Sequence, residues 1–355
     1  MENKLTVFEG MTAMGHEEVA FCHDAETGLK AIIAIHSTVL GPALGGTRMW
    51  AYQDEAEAVR DVLRLSRGMT FKASVAGLNL GGGKAVIIGD ATKEKTDALM
   101  YRFGKFVNTL GGKYITAEDV GMTTHDMEVV KSATDHVTGI PEHMGGSGNP
   151  SPVTAYGTYM GMKAASKFKW GSDSLAGKKV VVQGVGAVGQ SLVKHLVEDG
   201  AIVTVNDIHE GRLNAIAEKF SVSTIVGDAV YDVDMDIYAP CALGATINSR
   251  TLSRLKCGII AGAANNQLAD EHIHGQEVMK RGIIYAPDFV INAGGLINVN
   301  SEIEHYGRQE ALRRTEQIYN VTLEILNLSK SENITTHEAA LKLAQRRIDE
   351  ARKKN

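Results

Sequence analysis

Two lysines and an aspartate are the residues of this chain whose types and spacing could do acid–base chemistry. Lys84 follows a run of three glycines that begins at Gly81, Lys72 lies 12 residues before Lys84, and Asp119 lies 35 residues after it. A lysine that is desolvated near a second ammonium has a lowered pKa and can serve as a general base at mild pH. Lys72, if it stays charged, is suited to hold a substrate carboxylate, and Asp119 is suited to move protons. The spacing alone leaves Lys84 undecided between this role and an ordinary solvated lysine at a strand end.

The glycine run from Gly184 to Gly189 is a second candidate site. It follows the apolar strand candidate Lys179–Gln183 and opens a helix that is predicted to continue to Glu198. In this setting the first glycine permits a tight turn, the second lets the backbone approach a pyrophosphate, and the third lets helix and strand pack closely. Without the strand, the helix and a downstream acid, the run would predict only a glycine turn. We therefore predict a dinucleotide-binding loop made of Gly184, Val185, Gly186, Ala187, Val188 and Gly189.

Asp207 lies 23 residues beyond Gly184, where the next strand is predicted to end. A carboxylate at this place can accept hydrogen bonds from ribose hydroxyls and repel a 2′-phosphate. The pattern therefore favours NAD over NADP, although His209 and Arg212 just downstream weaken that preference.

The elements that must position the two lysines form a predicted α/β domain. Helical spacing marks Asp54–Met69 and Asp97–Leu110, and the strand candidates are Lys30–Thr38, Phe71–Ala76, Ala85–Ile88 and Lys113–Ala117. The glycines that begin at Gly81 would then lie between two strands, where they cost conformational entropy and pack no side chain. We therefore expect something other than folding to maintain them.

Small residues and prolines from Gly145 to Pro152 break every periodicity and predict a connector between two domains. After it, predicted strands and helices alternate, which indicates a parallel, doubly wound sheet with right-handed crossovers. The predicted fold is thus α/β, with a mixed-sheet substrate-binding domain over residues 1–145 and a Rossmann-type dinucleotide-binding domain over residues 146–324. The C-terminal helix, residues 325–355, is expected to pack back on the first domain or on a neighbouring subunit.

Composition excludes several other classes of protein. Lysine and arginine total 37 against 42 aspartate and glutamate, a formal net charge of -5, so no basic face for a nucleic acid is evident. The residues from Met1 to Gly10 hold no apolar leader, and no run approaches the length of a membrane span, so we expect neither export nor a membrane anchor. The cysteines Cys22, Cys241 and Cys257 are too few and too widely spaced for a disulfide framework or a zinc site. We expect a cytoplasmic protein without a metal.

Six segments of the chain resemble the amino-acid dehydrogenases of the glutamate, leucine, phenylalanine and valine family. They are LGPALGGTRMW from Leu40, RLSRGMTFKASVAGLNLGGGKAVIIGD from Arg64, YITAEDVG from Tyr114, GSGNPSPVTAYG from Gly146, APCALG from Ala239 and FVINAGGLINV from Phe289. The resemblance extends over nearly the whole chain and includes the spacing of the two lysines and the aspartate. It implies an NAD-dependent oxidative deamination that is reversible to the reductive amination of a 2-oxo acid with ammonium.

The resemblance also implies roles for the candidate catalytic residues. Lys84 would be the base that activates the water attacking the imine carbon, Lys72 would bind the α-carboxylate, and Asp119 would exchange protons with the amino group. The backbone at Gly45 and Gly46 would contact the substrate.

Further implications concern the cofactor and the assembly. The residues placed near the nicotinamide are Thr154, Asn266 and Asn292, and Cys241 is interpreted as a small residue that lines the cofactor cleft. Domain closure about the connector would bring the substrate and the nicotinamide together and exclude water. The resemblance further implies a homo-oligomer, commonly an octamer, that acts on a small molecule.

Apolar residues at the predicted substrate positions indicate an aliphatic side chain. Leu44 stands where glutamate-specific members carry a lysine, which disfavours glutamate because its side-chain carboxylate would be buried unpaired. Ala117 matches the leucine-specific members, whereas Leu296 resembles the phenylalanine- and tryptophan-specific ones. Both side chains take volume from a pocket to which Met69 and Val299 also belong, so we expect leucine, isoleucine and valine before phenylalanine. Without the flanking glycines and lysines, this apolar set would be typical of ordinary core packing.

Two alternatives remain at this point. The first is a phenylalanine dehydrogenase, which Leu296 favours. The second is a regulatory protein that senses NAD without catalysis, although a sensor has no use for two lysines and three consecutive glycines in the other domain.

Overall fold

The computed structural model describes residues 6–354, and within this range the chain divides into two compact units. The first unit holds residues 6–148, Glu302–His305 and 344–354, and the second holds Asn149–Ser301 and Tyr306–Leu343. The first change of unit along the chain therefore lies inside the Gly145–Pro152 connector. The expectation for Met1 to Gly10 falls partly outside the described residues.

The first unit is built on a five-stranded mixed sheet with helices on both faces. Its elements in chain order are α1 (Val7–Met14), β1 (Glu18–Asp24), β2 (Leu29–Ser37), β3 (Ala43–Trp50), α2 (Glu55–Val75), β4 (Gly81–Ile88), α3 (Asp97–Thr109), β5 (Tyr114–Glu118) and α4 (Thr124–Lys131). The strand order is β1-β2-β4-β3-β5, in which β2 runs antiparallel to both β1 and β4, whereas β4, β3 and β5 run parallel to one another. The predicted mixed-sheet α/β fold is confirmed for this part of the chain.

Period-two alternation divides the side chains of this sheet between two hydrophobic cores. On one face Ile32, Ala34 and Val86 pack against Val62 and its neighbours on α2. On the other face the alternate residues of β2 and β4 pack with apolar residues from α3 and α4. Lys84 lies two residues before Val86 and opposite Ala34, so it belongs to the α2 face.

Two predictions for this unit were wrong, and packing explains both. Phe71–Ala76 is not a strand, because α2 continues to Val75. The three glycines do not precede a strand but form the first half of β4. A Cβ atom on Gly82 would collide with the backbone nitrogen of Thr70 on α2, and one on Gly81 would collide with the carbonyl oxygen of Ser37. Close approach of α2 and β2 to β4 therefore gives these glycines a reason in folding itself.

The second unit is a parallel sheet with helices between its strands. Its elements are α5 (Ser151–Trp170), β6 (Lys179–Gln183), α6 (Ala187–Glu198), β7 (Ile202–Asn206), α7 (Glu210–Phe220), β8 (Ser223–Ile225), β9 (Ile237–Pro240), α8 (Ser249–Leu252), β10 (Ile259–Ile260), α9 (Ile273–Lys280), β11 (Ile284–Tyr285), α10 (Asp288–Ile291), α11 (Gly294–Glu304), α12 (Arg308–Glu332) and α13 (Thr336–Arg352). The strand order is β11-β10-β9-β6-β7-β8 with every pairing parallel, so the order reverses at β6. This is the predicted doubly wound fold, and a crevice forms where the order reverses.

The C-terminal region departs from the single helix that was expected for residues 325–355. It contains two helices, α12 and α13, separated at Asn333, which has a left-handed backbone. The change from the second unit to the first falls inside α13, after Leu343. Ser74 donates a hydrogen bond from its hydroxyl to the carbonyl of Ala344 at 2.7 Å, which fastens the last turns of α13 to the end of α2.

No helix among the described residues is long and apolar enough to cross a membrane. Within residues 6–354 there is also no group of three histidine, cysteine, aspartate or glutamate side chains arranged to hold a metal ion. The three cysteines are free thiols.

Candidate active site and dinucleotide loop

The first unit joins Lys84 and Asp119 in a short ion pair. Lys84 lies on β4 with 5% of its surface exposed, and Asp119 directly follows β5. The Lys84 Nζ donates to Asp119 Oδ2 at 2.6 Å. Because β3 lies between β4 and β5, the lysine side chain must extend across β3 to reach this carboxylate.

Glycines on β3 give that side chain its room. A Cβ atom on Gly46 would lie 2.9 Å from the Cβ of Asp119, and one on Gly45 would collide with the carbonyl of Gly83. Gly46 is thus required by packing beside Asp119, and Gly45 by the close approach of β3 to the backbone of β4. Their predicted contact with substrate through the backbone stays a prediction.

The ion pair lies where burial destabilises a charged amine. Burial, which disfavours the ammonium, lowers the pKa of Lys84, and the carboxylate of Asp119 opposes this effect without cancelling it. Burial would raise the pKa of Asp119, but Lys84 and the nearby guanidinium of Arg48 outweigh it and hold the pKa below its usual range. The arrangement therefore provides an amine that can release its proton beside a carboxylate that stays ionised.

Lys72 and Met69 are positioned by α2. This helix begins after Asp54, whose side chain accepts a hydrogen bond from the Glu57 N–H, and it holds Lys72 in its last turn. Three-residue spacing puts Met69 and Lys72 on neighbouring positions of one helix side, and both are partly exposed. Asp61 lies 11 residues before Lys72, which is close to three full turns, so it continues the same side.

The apolar substrate candidates are divided between the two units. Leu44 on β3 lies opposite Gly82, and Ala117 on β5 lies opposite Gly46, so both flank the glycine-lined part of the first sheet. Leu44 is buried and Ala117 is partly exposed. Leu296 and Val299 lie one turn apart on α11 and belong to the second unit.

Three residues that the sequence reasoning missed surround the ion pair. Arg48 Nε donates to Asp119 Oδ2 at 3.2 Å, and its Nη1 donates to Asp61 Oδ2 at 3.1 Å. The hydroxyl of Tyr52 also donates to Asp61 Oδ2, at 2.8 Å. A signal was available for Arg48, because strand alternation from Gly46 puts its side chain on the same face of the sheet. Nothing in the sequence pattern linked Tyr52 to this group.

In the second unit, the glycine loop has the geometry that a dinucleotide needs. Gly184 has φ +97°, and a Cβ atom there would lie 2.6 Å from the Cβ of Ala242. A Cβ on Gly186 would meet no atom within 4 Å, so open space faces the backbone at that position. A Cβ on Gly189 would collide with the carbonyl of Gly184, which explains the close packing of α6 on β6. The loop thus fits the pyrophosphate of a dinucleotide, with the N–H groups at the start of α6 facing it.

Two members of the predicted loop contribute differently from the glycines. Ala187 and Val188 form the first turn of α6 and are exposed or partly exposed, so their N–H groups are available to an anion. The side chain of Val185 is fully buried, and its N–H donates to Asp207 Oδ2 at 2.9 Å.

Asp207 follows β7 and ties the loop to the neighbouring strand. Its Oδ1 accepts a hydrogen bond from the His209 N–H at 2.9 Å, and Arg212 Nη1 lies 3.5 Å from its Oδ2. Burial acts to raise its pKa, but the two backbone N–H bonds and Arg212 outweigh this and lower it. Asp207 is therefore an ionised acceptor at the end of β7, as a ribose-binding residue must be.

The residues assigned to the nicotinamide lie on segments of the second unit that approach one another. Asn292 Nδ2 donates to the carbonyl of Ala263 at 3.1 Å, and the Ala263 N–H donates to Cys241 Sγ at 3.5 Å. Burial raises the pKa of the Cys241 thiol to about 12, which disfavours the thiolate form. Asn266 is exposed and has φ +51°.

Thr154 lies in the first turn of α5, close to the start of α11. A Cβ atom on Gly295 would lie 2.7 Å from Thr154 Oγ1, and one on Gly294 would collide with the carbonyl of Val153. The beginnings of α5 and α11 are therefore held together by glycine contacts next to Asn292.

Comparison with known proteins identifies the family of the chain. Residues 16–136 match the Glu/Leu/Phe/Val dehydrogenase dimerisation domain, and residues 145–215 and 207–355 match the Glutamate/Leucine/Phenylalanine/Valine dehydrogenase domain. A leucine dehydrogenase of Bacillus cereus is 52% identical over 344 residues, which cover 97% of this chain and 94% of that protein. A phenylalanine dehydrogenase of Lysinibacillus sphaericus is 46% identical over 345 residues, which cover 96% and 90%. The crystal structure of L-tryptophan dehydrogenase from Nostoc punctiforme has a TM-score of 0.89 at 44% identity and covers 98% of this chain and 99% of that one.

The two sheets, the buried lysine–aspartate pair and these relatives define an enzyme that is an amino-acid dehydrogenase, a class that uses a nicotinamide dinucleotide. The chain belongs to the glutamate, leucine, phenylalanine and valine dehydrogenase family. This assignment replaces the alternative of a sensor without catalysis.

Proposed function

We propose that this enzyme catalyses the reversible, NAD-dependent oxidative deamination of branched-chain L-amino acids. The observation that carries the proposal is the buried Lys84 amine in contact with Asp119, on the face of the sheet that also holds Leu44. An amine with a lowered pKa beside an ionised carboxylate supports proton transfer in both directions of the reaction.

The proposed chemistry gives each polar residue one task. NAD, when bound, would supply the acceptor for the α-hydride of the amino acid, so that the substrate becomes an imine. Lys84 Nζ takes a proton from the water that attacks the imine carbon, and Asp119 exchanges protons with the amino nitrogen, which departs as ammonia. The ammonium of Lys72 pairs with the α-carboxylate and fixes the orientation of the substrate.

The proposed cofactor is NAD rather than NADP. The support is Asp207, an ionised carboxylate at the end of β7 that would repel a 2′-phosphate. Arg212 is 3.5 Å from this carboxylate and partly neutralises it. We therefore expect a higher rate with NADH than with NADPH, but some activity with NADPH as well. Initial rates with the two cofactors at equal concentrations measure the ratio.

The proposed substrate side chain is branched and aliphatic. Leu44 and Ala117 provide apolar surface in the first unit, and a buried leucine is incompatible with the carboxylate of glutamate. The higher identity with a leucine dehydrogenase than with a phenylalanine dehydrogenase supports the same choice. Phenylalanine remains the second candidate because Leu296 resembles the residue of the aromatic-specific members.

The test is NADH oxidation at 340 nm with ammonium and each of four 2-oxo acids in separate reactions. We expect fast turnover with 4-methyl-2-oxopentanoate and 3-methyl-2-oxobutanoate, slower turnover with 2-oxo-3-phenylpropanoate, and little with 2-oxoglutarate. A preference for the aromatic acid would overturn the substrate proposal and leave the amino-acid dehydrogenase activity intact.

We further propose that the enzyme is a cytoplasmic homo-oligomer. The support is the match of residues 16–136 to a domain described as a dimerisation domain. Light scattering on the purified protein would measure the mass, and a monomer at micromolar concentration would contradict this proposal. An octamer is the size that the family resemblance implies.

A further inference from the structure

Asp119 Oδ2 accepts hydrogen bonds from two cations at once. Lys84 Nζ is 2.6 Å from this oxygen and Arg48 Nε is 3.2 Å from it. Arg48 reaches Asp119 from β3, the strand that lies between those of the ion pair. The carboxylate that serves the catalytic lysine is thus held from a second direction.

Arg48 is itself anchored on α2. Its Nη1 donates to Asp61 Oδ2 at 3.1 Å, and Asp61 also accepts from the Tyr52 hydroxyl at 2.8 Å and from Arg64 Nη2 at 3.0 Å. The side chains of Arg48 and Asp61 are only 23% and 16% exposed. Both side chains are partly shielded from water, so their charges interact more strongly than those of a fully exposed pair. The chain Asp61–Arg48–Asp119–Lys84 therefore connects α2 electrostatically to the Lys84 amine.

We propose that Arg48, fastened by Asp61, is a positioning residue of the deamination reaction: it orients Asp119 Oδ2 toward Lys84 and competes with Lys84 for that oxygen, which favours the uncharged amine. The proposal rests on the function proposed above and deepens it. Arg48 does not need to touch the substrate.

The charges around Lys84 act in opposite directions. Burial has the largest effect and lowers the pKa of Lys84. The carboxylate of Asp119 raises this pKa, Arg48 lowers it and Asp61 raises it. Arg48 also lowers the pKa of Asp119. Other titratable groups on these elements are Lys30 and His36 on β2, Tyr114 and Glu118 on β5, and Glu55, Glu57, Arg60, Arg64, Arg67 and Lys72 on α2.

Opposite electrostatic effects of Arg48 and Asp61 provide a test that a purely structural role would not satisfy. The full-length Arg48→Gln and Asp61→Asn variants are assayed for oxidative deamination with NAD and the best amino acid of the substrate panel, and kcat/KM is measured as a function of pH. Activity requires the uncharged Lys84 amine, so kcat/KM rises through the pKa of Lys84. We expect this rise to move up by about one pH unit in Arg48→Gln and to move down in Asp61→Asn.

A third variant separates charge from orientation. Arg48→Lys keeps a cation but cannot donate to Asp119 and Asp61 together from one planar group. We expect its pH profile to stay near that of the wild type while kcat falls, by up to about 100-fold. NADH binding, followed by fluorescence, reports on the second unit and is expected to be unchanged in all three variants.

Chemical rescue gives an independent readout. Arg48 lines an open groove of about 480 Å³, together with Trp50, Tyr52 and Asp61, so a small cation can reach its place from solvent. We expect guanidinium, at concentrations well below those that unfold the enzyme, to restore part of the kcat of Arg48→Ala. Urea has nearly the same shape without the charge and is expected to restore none.

The failure of this inference is distinct from the failure of the proposed function. Unchanged pH profiles in Arg48→Gln and Asp61→Asn, or shifts of both profiles in the same direction, would overturn the role of Arg48 in an enzyme that is still active. A wild type that turns over none of the amino acids would overturn the proposed function and, with it, this inference.

Discussion

The fold buries the Lys84 side chain and gives its ammonium an ion-pair partner, Asp119. Its 5% exposure carries a large desolvation cost, and the carboxylate of Asp119 reduces that cost without removing it. A buried lysine that served only stability would be replaced easily by an apolar residue. The proposed general-base role gives a physical reason for the amine, because such a base must change its charge during the reaction.

Replacing Lys84 by alanine is expected to separate chemistry from cofactor binding. Lys84→Ala removes the proposed base but leaves the glycine loop of the second unit untouched, so NADH affinity should stay within about twofold while kcat falls by about 1,000-fold. Stopped-flow turnover and fluorescence titration measure the two quantities. Lys131→Ala, at a lysine on α4, is the matched control, and a Lys84→Ala enzyme with wild-type kcat would refute the catalytic assignment.

Ala117 gives a prediction about substrate choice. Ala117→Gly removes a methyl group from the surface beside Gly46, so the aromatic 2-oxo acid should gain relative to the aliphatic one. We expect the ratio of kcat/KM for 2-oxo-3-phenylpropanoate over 4-methyl-2-oxopentanoate to rise by about tenfold. An unchanged ratio would mean that Ala117 does not border the substrate side chain.

At the scale of elements, the second sheet was the more predictable of the two. β6 has the predicted bounds, α6 ends at Glu198 as predicted and β7 ends directly before Asp207, because apolar strands and amphipathic helices alternate there with short glycine connections. The first sheet was harder. The glycine half of β4 has little intrinsic strand preference and is a strand only because α2 and β2 approach it closely, which a local pattern does not reveal.

The same limit applies to the site. The glycine loop and Asp207 could be recognised from local order along the chain, since strand, loop, helix and acid follow one another. The contact of Asp119 with Arg48 joins residues 71 positions apart, and it depends on the parallel pairing of β3 with β5. Such a contact requires the sheet order, which the sequence pattern did not supply.

Two glycines of the loop are expected to respond differently to the same substitution. Gly186→Ala places a methyl group in open space, so the melting temperature should not change, while NADH binding weakens by about tenfold because the methyl lies where the pyrophosphate approaches. Gly189→Ala drives the methyl into the carbonyl of Gly184 and should cost about 1–3 kcal/mol of stability. Thermal unfolding and NADH titration of both variants distinguish a cofactor role from a packing role. Equal changes in the melting temperatures of the two variants would contradict this distinction.

At the scale of the whole molecule, the C-terminal residues support the segment between the two lysines. Arg347 Nη1 donates to the carbonyl of Leu78 at 2.6 Å, and its Nη2 donates to Asn79 Oδ1 at 2.9 Å. These acceptors lie between the end of α2, which carries Lys72, and the start of β4, which carries Lys84. One side chain of α13 therefore holds the turn that fixes the spacing of the two amines.

Loss of that side chain should affect stability and substrate binding together. Arg347→Met keeps the length of the side chain and removes its donors, so we expect a loss of about 1–3 kcal/mol in the free energy of unfolding. The KM for the 2-oxo acid should rise while NADH affinity is preserved. Arg346→Met, at an exposed neighbour, is the control. An unchanged KM would confine Arg347 to a stabilising role.

The chain changes units four times, after Gly148, Ser301, His305 and Leu343. Glu302, in the short middle segment, accepts hydrogen bonds from the N–H groups of Gly139 and Ser147. A chimera made by a single crossover near residue 148 would therefore place a foreign acceptor at Glu302 and a foreign donor at Arg347 against the rest of the first unit. The first unit is discontinuous along the sequence, so a recombinant that preserves its internal contacts must carry three separate stretches of sequence at once.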